Sequence, residues 1–177
     1  VPQAIEVVVT TPGLADIVKI IGGEHVKIIS LVPGAVNAHK VTPRASMLLK
    51  LSRADALASM GLGFEHAYLP ALLEKVGRAD FGRGDGAVSK GGTNHFVAAD
   101  FIGAALEVPA KLDRGAGVDV HPLGNSHWNT NPNLMRKVAV GLRDFLSQQQ
   151  PQFKEEFSKN WKAWDKKADK LIAHWTL

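Results

Sequence analysis

The sequence predicts an α/β fold in which a small parallel sheet is flanked by helices and a long C-terminal helix closes the chain. Three observations carry that expectation. Short β-branched runs alternate with segments of helical periodicity, an order that needs crossover connections and therefore parallel strands. The joints between them hold helix-start and helix-stop residues. The last segment has one apolar stripe, Phe153, Phe157, Trp161, Trp164, Ala168, Leu171 and Trp175, at steps of three and four.

In chain order, IEVVVTT (5–11) reads as the first strand, and PGLADIVKIIGG follows with Leu14, Ile17, Val18 and Ile21 at helical spacing before a Gly-Gly stop. VKIISLV (26–32) is the second strand. PRASMLLKLSRA reads as a helix opened by Thr42-Pro43, ADALASMG (54–61) as a buried strand, and FEHAYLPALLEKV as a helix in which Pro70 is tolerable only in a short first segment. Residues 77–95 are rich in glycine and polar groups, which predicts a surface loop around at most one short strand. HFVAADFIGAALEVP fits strand and helix equally. PNLMRKVAVGLRDFLSQQQ is a clear helix, and Pro151 restarts the chain for the last one.

A chain of 177 residues, 45% hydrophobic, is long enough for a substantial core. Without cysteine, thiolate sites and disulfides are excluded, and any metal must be held by His, Asp, Glu or backbone oxygen. The net charge of +4 comes from lysines interleaved with acids in KEEFSKNWKAWDKKADK, the pattern of a solvated helix face, so no nucleic-acid partner is expected. No apolar run approaches a membrane span. The opening VPQAIEVVVTT has no basic n-region or cleavage site and reads as the start of a mature or trimmed chain.

Two of the seven histidines share an unusual setting. His39 in NAHKVTP and His127 in HPLGNSHWNTNP each precede a polar residue followed by proline, Thr42-Pro43 and Asn131-Pro132, the form of an N-cap with proline at the first helical position. Ligands of open α/β sheets gather beyond the carboxyl ends of the strands. His39 follows the strand ending near Val32 and belongs on that edge, as does His127 if a strand precedes it. Two such loops can bring two neutral imidazoles to one divalent metal. His121 is an outer partner of a ligand, an occasional extra ligand or a residue that stabilises the loop. His25, in a turn, and His66, on a helix, read as surface; His95 and His174 have no evident partner.

Enzymatic signatures are missing. The loop glycines form neither G-x-G-x-x-G after a strand nor a P-loop. Ser126 and His127 are adjacent and cannot make a nucleophile-to-base contact, and there is no H-E-x-x-H helix. A small His-ligated zinc hydrolase would need an acidic base near His127, for which Asp113 and Asp119 are the nearest residues. A structural fragment without metal binding, associating through its aromatic helix, is the other alternative.

The stretch TTPGLADIVKIIGGEHVKIISLVPGAVNAHKVTPRAS (10–46) resembles the opening of the solute-binding proteins of bacterial zinc and manganese ABC importers, the cluster A-I type. DVHPLGNSHWNTNP (119–132) resembles a second landmark of that family, with GLG-E and LEVP between the two. The resemblance implies one lobe of a two-lobe α/β receptor, with the metal held between lobes by two ligands from each. His39 and His127 match the N-lobe ligands, although Ala38 and Ser126 replace the usual prolines and Asn131 the usual aspartate. It further implies an N-terminal metal-binding lobe over 1–150, a connecting helix over 151–177, and a second lobe absent from this chain. The expected cargo is Zn²⁺, with Mn²⁺ as the alternative, the partner is the membrane permease of an ABC importer, and the location is periplasmic or extracytoplasmic. The aromatic stripe predicts a homodimer through the C-terminal helix, with Trp161 to Trp175 near the contact.

Overall fold

The structure, a computed structural model, describes residues 3–32, 34, 36–85, 88–104, 108, 121 and 123–175. In chain order these form β1 (Ile5–Val9), α1 (Pro12–Gly22), β2 (Val26–Ser30), α2 (Ala45–Arg53), β3 (Ala56–Ser59), α3 (Leu69–Val76), β4 (Arg83–Asp85), β5 (Val88–Lys90), β6 (His95–Val97), α4 (Pro132–Gln149) and α5 (Lys154–Trp175). Strands β2, β1, β3 and β6 pair in that spatial order, all parallel. The connection from β1 leads to β2 on one side and the later strands fill the other, so the carboxyl ends of β1 and β3 flank a topological switch point.

Both faces of the sheet are covered, and strand alternation decides which residue goes where. Val7, Val9, Ala56 and Ala58 pack with Leu14, Ile17 and Ile21 of α1 and with Val138 and Leu142 of α4. Val8 and Leu57 point the other way, toward Leu51 of α2 and Leu69, Leu72 and Leu73 of α3. Each buried valine, leucine or isoleucine among these contributes about 1.5–3 kcal/mol relative to exposure.

Several boundaries differ from the sequence expectation. Helix α2 starts at Ala45, after an extended Arg44 that makes no side-chain cap, so Thr42-Pro43 lies ahead of the helix and outside regular structure. Proline fixes a φ shared by helix and extended segments and by itself does not choose between them. Helix α3 starts only at Leu69, with Pro70 in its first turn. The chain ahead of it is occupied by turns, because Gly61, Leu62 and Gly63 all have left-handed φ values of 82°, 52° and 74°. Residues 77–95 hold two short strands, β4 and β5, paired antiparallel, plus the start of β6. Strands of three residues are too short to show alternation.

Asn131 caps α4 as expected, its side chain accepting from the backbone N–H of Asn133 and Leu134. Helix α5 folds back along α4 and α1. Arg136 of α4 donates to both carboxylate oxygens of Asp165, at 2.7 and 2.8 Å, and to Asp169 at 2.6 Å. The Asn160 amide donates to the Ile21 carbonyl at 3.0 Å. Phe157 is fully buried, and Phe153, Trp161 and Trp164 pack partly buried against the same core. Most of the aromatic stripe is therefore satisfied within the chain, leaving less surplus surface than the spacing suggests; Leu171, farther along, is 60% exposed. No helix among the described residues is long and apolar enough to cross a membrane.

Candidate metal centre

The loops leaving the carboxyl edge of the sheet carry the histidines. His39 sits in a 3-10 turn, Ala38–Lys40, and its backbone N–H donates to the Asn37 side-chain oxygen at 2.9 Å. His127 repeats the arrangement, its N–H donating to the Asn125 side chain at 2.9 Å. Such side-chain turns mimic a backbone turn and hold the residue two positions on. They replace the local stiffness that a proline at position 38 or 126 would bring. The loop of His127 is also tied to β3, because the buried Trp128 indole donates to the Met60 carbonyl at 3.3 Å.

His39, His121 and His127 converge. One ring nitrogen from each lies within 4.8 Å of the other two. Ring centroids are 4.9 Å apart for His39 and His121, 5.5 Å for His39 and His127, and 5.6 Å for His121 and His127. His39 and His121 are buried and His127 is partly so. Phe64 forms a wall, edge-on to His39 at 4.8 Å and to His127 at 5.6 Å. Three imidazoles at this spacing present nitrogen donors to a small divalent ion. Among the described residues, the cluster contains no carboxylate.

Beneath the cluster, the GLG-E segment has a structural task. Its three left-handed residues turn the chain back so that the Glu65 carboxylate accepts from the Thr10 hydroxyl at 2.6 Å, Met60 N–H at 2.7 Å and Gly61 N–H at 3.2 Å. Thr10 directly follows β1 and Met60 directly follows β3, so one buried side chain clamps the chain at both strand ends at the switch point. Burial pushes the Glu65 carboxyl above the usual carboxylate range, and the hydrogen bonds offset part of that. Alongside, a cleft of about 250 Å³ opens between Met60, Phe64, His127 and the start of α1 at Pro12 and Gly13.

The remaining histidines depart from the sequence reading. His66 is exposed as expected but lies in the turn before α3, its ring stacked 5.7 Å from that of His39 and 6.1 Å from His121. No local pattern reveals that neighbour, because it belongs to another strand's loop. His25 is not a surface residue. Its side chain is 11% exposed, stacked on Phe153 at 3.5 Å and paired with Glu156 at 2.9 Å, because α5 lies across it. With exposed Glu24 these form a second group of potential ligand atoms, joining the end of α1 to α5. His95 is buried in β6, bonded to the Ser59 hydroxyl at 2.8 Å and the Phe81 carbonyl at 2.9 Å. Burial holds it down to about 4. Asp113, Asp119 and the LEVP segment apart from Val108 lie outside the described residues.

The fold is that of one lobe of the metal-binding solute receptors. The chain belongs to the family described as zinc-uptake complex component A, periplasmic (ZnuA), whose model matches residues 7–176. Among solved structures, a zinc-bound ZnuA deletion mutant superimposes with a TM-score of 0.73 at 24% identity, over 97% of this chain and 57% of that one. The periplasmic zinc-binding protein TroA from Treponema pallidum gives 0.71 at 20% identity, over 97% and 54%. Fe(III)-bound YtgA from Chlamydia trachomatis gives 0.71 at 19% identity, over 95% and 51%. The chain thus spans about half the length of these proteins.

Proposed function

We propose that this chain is the metal-holding lobe of an extracytoplasmic receptor that binds zinc and passes it to the permease of an ABC importer. Residues 1–150 form the lobe in this reading, and residues 151–177, which include α5, form the connecting helix. The convergence of His39, His121 and His127 at the switch-point edge, with nitrogens within 4.8 Å of one another, is the observation that carries it. Family membership supports binding and release rather than turnover. The ion is cargo, and an all-nitrogen donor set suits Zn²⁺ better than Mn²⁺, which prefers carboxylate and water oxygen.

The side chains do three things here. His39 and His127 supply lone pairs from rigid turns, His121 adds a third from the same edge, and Phe64 with the buried floor excludes water from one side. Relatives of this family are about twice as long, so the affinity expected here is that of the 177-residue chain: on the order of 1 μM, equivalent to about 8 kcal/mol. Competition with a chromogenic chelator tests the site. His39→Ala and His127→Ala should each abolish measurable zinc binding while far-UV circular dichroism stays unchanged. Undiminished binding in both variants would place the metal elsewhere.

A further inference from the structure

Four imidazoles, not three, stand at this edge. In a tetrahedral site with Zn–N bonds of 2.0–2.1 Å, two ligating rings have centroids about 5 Å apart. The three converging rings lie at 4.9, 5.5 and 5.6 Å. His66 is 5.7 Å from His39 and 6.1 Å from His121, outside the group whose nitrogens lie within 4.8 Å of one another, and a ring shift of about 1 Å brings it to ligating distance from an ion held by the others.

Its hydrogen bonding suits that role. Nδ1 of His66 lies 3.0 Å from the Gly63 carbonyl oxygen, and a carbonyl can only accept. Nδ1 therefore carries the proton, which leaves the Nε2 lone pair for a metal. The supporting turn is itself held by Glu65, the preceding residue, through its bonds to Thr10, Met60 and Gly61. His66 is exposed while His39 and His121 are buried, so it stands at the mouth of the cluster, where water would otherwise complete the coordination.

We propose that His66 is a fourth zinc ligand offered by this chain, beside His39, His121 and His127. The proposal rests on the metal-binding reading above and extends it: this chain by itself offers its ion four neutral nitrogens. The site keeps the full dipositive charge of the ion.

The test uses the 177-residue chain loaded with one equivalent of zinc, together with His66→Ala and His66→Phe, the second keeping the ring but not its nitrogens. X-ray absorption fine structure should count four imidazoles in the parent and three plus one oxygen in both variants. Zinc affinity should fall about tenfold or more in each. Three imidazoles in the parent with unchanged affinity in both variants would overturn the role of His66 and leave the three-histidine site standing. A loss in His66→Ala that His66→Phe restores would make the ring a packing partner and also overturn it. Retained affinity in His39→Ala and His127→Ala, measured in parallel, would instead overturn the site as a whole.

Discussion

The rings of His39 and His127 stand 5.5 Å apart at 72° to each other, each delivered by an Asn-x-His turn in which the asparagine side chain accepts the histidine's own N–H at 2.9 Å. Two loops distant in sequence thus use the same local device to present an imidazole. The device takes over at positions where Ala38 and Ser126 provide no proline stiffness.

Removing either turn should loosen its histidine without unfolding the lobe. Asn37→Ala and Asn125→Ala each delete the hydrogen bond to the histidine N–H, worth about 1 kcal/mol, so zinc affinity should drop roughly fivefold in each variant. Calorimetric titration reads this directly. Parent-like affinity in both variants would show that the loops are held by other contacts.

Metal preference follows from the donor atoms. With only imidazole nitrogens in the described cluster, Zn²⁺ should displace Mn²⁺ when the two are present at equal concentration, and a chelator should remove zinc without loss of the fold. Equilibrium dialysis followed by metal analysis decides it. Retention of manganese in preference to zinc would require oxygen ligands and contradict the assignment.

Glu65 should matter to both stability and binding. Its truncation to alanine leaves the Thr10 hydroxyl and the Met60 and Gly61 N–H groups without their acceptor, at a cost of about 3 kcal/mol, and frees the strand ends below the histidines. Glu65→Gln keeps one acceptor oxygen and should lose less. Urea unfolding combined with zinc titration tests the pair. A stable Glu65→Ala variant with parent-like zinc binding would remove the clamp from the account.

His95 should make the fold sensitive to acid. Burial lowers it from 6.5 to about 4, so the unfolded chain takes up a proton at a pH where the folded chain does not. Its contribution is full above about pH 6.5 and is lost as the pH falls toward about 4, amounting to about 3 kcal/mol across that window. Urea melts of the parent and His95→Asn at about pH 7.5 and pH 4.5 give the comparison, and the variant should show the shallower dependence. Equal slopes would mean that the imidazole titrates normally.

Local chemistry by itself determined a large part of this protein. The β-branched run of β1, the spacing of Leu14 to Ile21 and the Asn131-Pro132 start of α4 follow from short-range sterics and periodicity, which are the same wherever the segment ends up. The setting of His39 and His127 in loops ahead of helices was legible on the same ground. Tertiary structure alone decided what those loops meet. The start of α2 at Ala45, the late start of α3 behind three left-handed residues, and the β4–β5 pairing depend on neighbours that no short window contains. So do the inward turn of His121, the approach of His66 to His39, and the burial of His95 under Phe81 and of His25 under α5. A histidine's chemistry is set by what surrounds its ring, and those surroundings come from strand order and crossovers, which bring distant residues together only once the core has packed.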